Sequence, residues 1–191
     1  LGALGAVSKW IREERIEDDV LLLAGDNYVG FQMWKFLEAF KGKPLLAAFN
    51  INDREQAKQF GIVVTENKNR SGGSRTSATL ERVTGFQEKP TNPASTLVST
   101  GCYVLPADSL NTLVNYAKDH PDNIGGIFEH FLSEGIDVDC ASFTDPWFDI
   151  GSFEAYLEAT KALVGDNTCR STACRAPTVG NTFEEIGRAH V

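Results

Sequence analysis

The stretch Val20-Leu-Leu-Leu-Ala-Gly-Asp-Asn27 decides the fold. Five apolar residues run without alternation between a charged segment and Gly25-Asp26-Asn27, which predicts a buried strand with both faces covered, as in parallel sheets. Upstream, Leu4, Val7 and Ile11 recur at helical spacing with no Ser, Thr, Asp or Asn cap ahead of them, so the chain reads as opening inside an element. Downstream, Met33, Trp34, Phe36, Leu37 and Phe40 keep helical spacing until Gly42 and Pro44 stop it, and 45–49 is the next apolar run. Helix, strand, helix, strand with short connections predicts an α/β sheet with helices on both faces.

Further along, 53–60 reads as a short polar helix, and Gly61-Ile-Val-Val as a strand opened by a glycine. The Asn, Ser, Gly and Arg of 66–78, around Gly72-Gly73, read as an exposed hairpin tip. Strands are expected over 80–87 and 95–105, flanking the turn at Lys89-Pro90-Thr-Asn-Pro93, and helices over 110–117 and 124–132. The alternation in 136–143 predicts a half-buried strand. Trp147-Phe-Asp-Ile-Gly151 leads into a helix with Ser152 as N-cap, Glu154 in its first turn and Tyr156, Leu157 and Leu163 on its apolar side. One domain is expected over 1–165, with a tail over 166–184. In the tail region Val164-Gly-Asp-Asn-Thr and Val179-Gly-Asn-Thr echo each other, by coincidence or as the first coil of a β-helix. The last seven residues, 185–191 (EIGRAHV), match one reading frame of a widely used sequencing adapter and are set aside as an artefact, a natural frayed tail being the alternative.

Composition excludes several function classes. Eighteen Lys and Arg against 26 Asp and Glu leave a net charge of −8 over 191 residues, with no basic run to neutralise a nucleic-acid backbone. No apolar stretch approaches the roughly 20 residues that cross a bilayer, so the chain reads as soluble and cytoplasmic, with no membrane partner. Cys102, Cys140, Cys169 and Cys174 form no CxxC pair and read as reduced thiols, the first two in the core. His120, His130 and His190 fall outside every segment that carries chemistry.

Two carboxylates stand out by position. Asp26 follows a strand directly, where ligands bind in open α/β sheets, and Asp149 sits between Trp147-Phe148 and Gly151 at a helix start. Either could be a local turn or capping aspartate; together they could converge on one Mg²⁺, which takes a few carboxylate oxygens and keeps water and substrate phosphates as its other ligands. Glu88-Lys89-Pro90 places opposite charges side by side at a strand end, and both can serve one site only if the backbone turns there. Such a site would use the carboxylate on sugar hydroxyls and the ammonium on a phosphate; an exposed strand end with solvated charges is the alternative. Ser99-Thr100-Gly101 suggests a bulge or a close ligand approach, Gly61 can be read as a helix C-cap, and Trp147 as core.

In this order, Leu1-Gly-Ala-Leu-Gly-Ala6, Ala24-Gly-Asp-Asn27, Phe60-Gly-Ile-Val63, Phe86-Gln-Glu-Lys-Pro90, Val98-Ser-Thr-Gly-Cys-Tyr103 and Trp147-Phe-Asp-Ile-Gly-Ser152 resemble the sugar-1-phosphate nucleotidyltransferase family. The resemblance covers roughly residues 1–163. It implies a Rossmann-like GT-A fold with a mixed, mainly parallel sheet and helices on both faces. It makes Asp26 and Asp149 the catalytic pair that holds Mg²⁺, and Glu88 and Lys89 sugar-phosphate contacts. Gly61 and Ser99 match smaller sugar-side positions, and Gly2 a glycine whose backbone meets the nucleotide base. The family's first strand and Gly-rich phosphate loop are missing, and Ala3-Leu4 stands where many members carry Thr-Ala. The 191-residue chain alone is therefore expected to be inactive, with an exposed sheet edge or apolar seam. The family often forms homo-oligomers.

The residue types suit that chemistry. A sugar 1-phosphate is already near −2 at pH 7, so its oxygen needs no general base to attack an α-phosphorus. The reaction needs charge neutralisation and in-line placement of two polyanions. The expected reaction is nucleotidyl transfer from dTTP or UTP to glucose 1-phosphate, releasing pyrophosphate. The alternatives are mannose 1-phosphate with GTP or another hexose phosphate, and a non-catalytic sugar-nucleotide-binding homologue.

Overall fold

A computed structural model describes residues 2–66 and 79–164. In chain order the elements are α1 (Ala3–Glu13), β1 (Val20–Leu23), β2 (Asn27–Val29), α2 (Met33–Glu38), β3 (Leu45–Asn50), α3 (Arg54–Ala57), β4 (Gly61–Thr65), β5 (Thr79–Glu88), β6 (Leu97–Leu105), α4 (Leu110–Tyr116), α5 (Gly126–Ser133), β7 (Asp139–Phe143), β8 (Trp147–Asp149) and α6 (Phe153–Val164). The hairpin tip expected over 66–78 lies almost wholly outside the described residues. So do the tail, with its suspected adapter end, and Cys169 and Cys174.

Six strands form one mixed sheet in the order β1-β6-β3-β7-β5-β4, with β4 also meeting β6 at Ile62 and Val98. β3 shows why the α/β reading holds. Its residues alternate faces, so Leu46 and Ala48 join a core built with Leu4 and Ile11 of α1, Leu110 and Leu113 of α4 and Phe128 and Phe131 of α5. Leu45 and Ala47 point the other way, to Phe36 of α2, Phe31 and Phe143. Helices thus cover both faces, and a strand buried on both sides must be apolar throughout.

Two expectations need correction. Among the described residues only β3 and β7 pair in parallel; β1–β6, β3–β6, β4–β5, β4–β6, β5–β7 and β2–β8 are antiparallel, so the sheet is mixed but not mainly parallel. The decisive run Val20–Leu23 is an end strand in the sheet order, not one covered on both faces: Leu21 is 39% and Leu23 53% exposed. An unbroken apolar run signals burial on both faces only where a neighbour covers each, and run length alone does not report that.

Local signals behave as their chemistry requires. Asp53 caps α3, its Oδ1 accepting from the backbone N–H groups of Glu55 (2.8 Å) and Gln56 (3.1 Å). Ser152 caps α6, its Oγ accepting from Ala155 N–H at 3.1 Å. Cys102 and Cys140 are buried free thiols. No helix among the described residues is long and apolar enough to cross a membrane.

Candidate active site

The two-stranded ribbon β2–β8 brings the distant carboxylates together. Asn27 stands opposite Asp149 in its register, and the Ile150 N–H donates to the Asp26 carbonyl at 2.7 Å. Asp26 and Asp149 flank Gly151: a Cβ there would lie 3.1 Å from Asp149 Oδ1 and 3.4 Å from Asp26 Oδ2. The two oxygens are therefore no farther apart than the sum of those distances, so the two carboxylates face the same small space. Asp149 Oδ1 also accepts from the Gly151 N–H (3.0 Å), and Asp26 Oδ1 from Asn27 Nδ2 (2.9 Å). The ribbon itself is not legible as a strand pair in the sequence, since each strand has only three residues.

Beside this pair a cavity of about 190 Å³ opens, and Asp149, Asn27, Gly61, Glu88, Lys89 and Ser99 all line it. Gly61 opens β4 directly opposite Glu88, so it is a strand residue and not the C-cap of α3, which is Lys58. A Cβ on Gly61 would lie 2.5 Å from Phe86 Cζ and 3.2 Å from Glu88 Oε2, a close approach only glycine allows. Lys89 has φ +44°, the turn required for neighbouring charges to reach one site. Its N–H donates to the Phe60 carbonyl at 3.2 Å. Burial pushes the Glu88 carboxyl above the usual glutamate range; Lys89 pulls the other way and Glu129 adds to the rise.

The bulge expected at Ser99-Thr100-Gly101 is present. Leu46 faces Tyr103 and Ala48 faces Ser99, so residues 100–102 of β6 stand against Ala47 alone. Gly101 turns the chain at φ +74°, and a Cβ there would sit 2.7 Å from Ala24 Cβ. The bulge swings Ser99 and Tyr103 toward each other, their hydroxyl oxygens 2.9 Å apart on the cavity wall. Tyr103 is 5% exposed, and burial pushes its phenol up to about 12, the Ser99 hydrogen bond opposing. That hydroxyl stays protonated at neutral pH.

Gly2 is not at this cavity. It precedes α1, its carbonyl accepting from Ala6 N–H at 2.9 Å, and it packs so closely on Pro121 and Asp122 that no Cβ fits. Trp147 is core and wall at once: it packs on Phe49 and Phe60, lines the cavity, and donates its indole N–H to Asn27 Oδ1 at 2.9 Å. The sequence reading assigned no role to Asn27, Tyr103 or Gly125, which also line the cavity. Two signals were available. Ser99 and Tyr103 share strand parity, and the paired glycines Gly125-Gly126 open a predicted helix although glycine is a poor helix former.

Chemically, the wall offers a turned ammonium, a half-buried carboxylate and two linked hydroxyls, next to two converging carboxylates. Among the described residues no group of three or more His, Cys, Asp or Glu could hold a metal, so the acidic pair is an oxygen-only, two-carboxylate arrangement. Gly151, lacking a Cβ, leaves the space between its oxygens clear. This donor set fits Mg²⁺, which keeps several waters, and does not fit zinc.

Residues 1–165 match the family model described as nucleotidyl transferase. A glucose-1-phosphate adenylyltransferase of Lachnospira eligens is 27% identical over 150 residues, covering 76% of this chain and 32% of that protein. The chain spans about a third of the length of the curated relatives it matches. Among solved structures, a UDP-glucose pyrophosphorylase complexed with UDP-glucose superposes with a TM-score of 0.63 at 16% identity, over 84% of this chain and 61% of that one. A UTP-bound UGPase from Acinetobacter baumannii gives 0.64 at 21% identity, over 84% and 55%. These two likenesses are of fold.

Proposed function

The chain belongs to the nucleotidyl transferase family, and from that premise we propose that it forms the catalytic face of an enzyme joining a nucleotidyl group to a hexose 1-phosphate. The observation that carries this reading is the convergence of Asp26 and Asp149 beside one cavity that also holds Glu88, Lys89, Ser99 and Gly61. A fold likeness alone would leave function open.

In this reading a hexose 1-phosphate enters the cavity. The Glu88 carboxylate accepts from sugar hydroxyls, and the Ser99–Tyr103 pair offers a neutral donor and acceptor beside it. Lys89 offsets the phosphate, whose oxygen then attacks the α-phosphorus of the nucleotide, forming one P–O bond as the bond to pyrophosphate breaks. Asp26 and Asp149 would hold Mg²⁺, which supplies charge neutralisation between two polyanions. A Cβ at Gly25 would meet nothing within 4 Å, so the backbone beside Asp26 is open to a phosphate. Gly2 belongs to the proposal as a base contact from the start of α1.

Glucose 1-phosphate is the proposed acceptor, and dTTP or UTP the proposed donor. The adenylyltransferase name of the relative puts ATP beside them in any test, and mannose 1-phosphate with GTP is the rival pairing. The test is pyrophosphate release across a matrix of nucleotides and hexose 1-phosphates, run with this chain and with the chain extended by its flanking coding sequence. One nucleotide–glucose 1-phosphate combination should dominate in the extended protein. Binding of a sugar nucleotide with no turnover of any pair would instead identify a non-catalytic homologue.

A further inference from the structure

Glu88 is not held by its own strand alone. Its carboxylate lies against Gly125, the residue before α5, so closely that a Cβ on Gly125 would overlap Glu88 Oε2 and come within 3.3 Å of Phe86 Cζ. Gly125 is buried and already has helical torsions (φ −71°, ψ −38°), with Gly126 following. Two consecutive glycines have little intrinsic preference for that conformation, so something outside the turn must hold it.

That hold is Asn123. Its Oδ1 accepts from the Gly126 N–H at 2.8 Å, and its Nδ2 donates to Tyr116 Oη at 3.3 Å. Tyr116 is itself clamped, stacked on His120 at 4.5 Å and on His130 of α5 at 4.8 Å. Gly126 is boxed in as well: a Cβ there would overlap the Asn123 amide and lie 2.6 Å from Tyr116 Oη. Asn123 therefore joins α4, which carries Tyr116, to the first turn of α5, and that turn closes over the Glu88 carboxylate.

We propose that Asn123 is a positioning residue for Glu88, pinning the Gly125–Gly126 turn against its carboxylate and so setting the distance and water access with which Glu88 meets a sugar hydroxyl. This rests on the hexose-phosphate reading of the cavity. The charged and titratable groups that act on Glu88 are Lys89, Glu129, Tyr103 and Tyr116, and His120, His130 and Asp122 flank the turn. Asn123→Ala adds and removes no charge among them, and Tyr116 loses only the hydrogen bond that Asn123 donates to it. The raised Glu88 titration has burial as its first cause, which agrees with a turn that excludes water.

The test is NMR on this chain, with glucose 1-phosphate as the probe. In Asn123→Ala the turn loosens: the Gly126 amide loses exchange protection, Glu88 titrates nearer the ordinary glutamate range, and glucose 1-phosphate binds about fivefold more weakly, the size of one lost cap. Asn123→Asp, which keeps an acceptor for the Gly126 N–H, restores that amide's protection and most of the binding. An unchanged Glu88 titration in an Asn123→Ala protein with an otherwise native amide spectrum overturns the proposal and leaves Asn123 a helix cap alone. Should that variant fail to fold, Asn123→Gln keeps the amide but moves its acceptor away from the Gly126 N–H, and no shift at Glu88 there also overturns it. If the unmodified chain shows no response at Glu88 or Lys89 to glucose 1-phosphate while Asn123→Ala still moves the Glu88 titration, the positioning role stands and the hexose-phosphate reading falls.

Discussion

Asp149→Asn separates a metal-holding pair from two turn aspartates by the sign of its effect. The substitution keeps an oxygen where Asp149 Oδ1 accepts from the Gly151 N–H, so the local turn survives and the change is one of charge. Without metal, Asp26 and Asp149 repel each other. Even at the upper limit of their separation, about 6.5 Å, two unit charges in near-bulk dielectric cost about 0.6 kcal/mol, and the high dielectric applies because Asp26 is exposed. Neutralising one partner should raise Tm by about 2 °C at low ionic strength, given ~2–4 °C per kcal/mol for a chain of this size. With Mg²⁺ at ten times its Kd the unmodified chain gains about 1.4 kcal/mol, and the variant should gain almost none. Thermal melts with and without MgCl₂ at constant ionic strength decide it. A lower Tm for the variant in the absence of Mg²⁺, together with equal stabilisation of both proteins by the ion, would refute the shared-cation reasoning and make Asp149 a turn residue.

Three further outcomes follow from the cavity and its supports. Gly101→Ala forces φ +74° on a residue with a Cβ and drives that Cβ into Ala24, so chemical denaturation should show a loss of about 2–3 kcal/mol; an unchanged midpoint would mean the bulge relaxes freely. Tyr103 holds its proton to about 12 against an ordinary 10.0, so the folded state keeps a proton the unfolded chain has released. Its contribution is full below pH 10 and lost as pH rises toward 12, and Tyr103→Phe should flatten that alkaline limb relative to the unmodified chain. Glu88 is likewise raised, above 4.5, so its burial costs stability at neutral pH and the cost disappears on acidification. Glu88→Gln should therefore melt higher than the unmodified chain at pH 7, lose that advantage by pH 4, and bind glucose 1-phosphate more weakly; equal melting at both pH values would show the carboxylate to be solvated.

What the sequence determined by itself was everything carried by short-range rules. Helical spacing in α1 and α2, the Ser152 cap and the apolar β3 run were legible because each depends on residues within a turn or a strand of one another. The order of the short motifs was likewise enough to point to the family and to single out Asp26, Glu88, Lys89 and Asp149. Tertiary structure alone decided the rest. Whether Val20–Leu23 lies in the middle or at the end of a sheet depends on its neighbours, which an apolar run does not name. The β2–β8 ribbon exists because Asn27 and Asp149, far apart in sequence, pair across it. Lys89 faces the same cavity as Glu88 only through a positive φ, and Asn123 reaches Glu88 only through a glycine turn on another element. Local chemistry can nominate a side chain, but the distances on which its reactivity depends are set by contacts between segments that the linear order keeps apart.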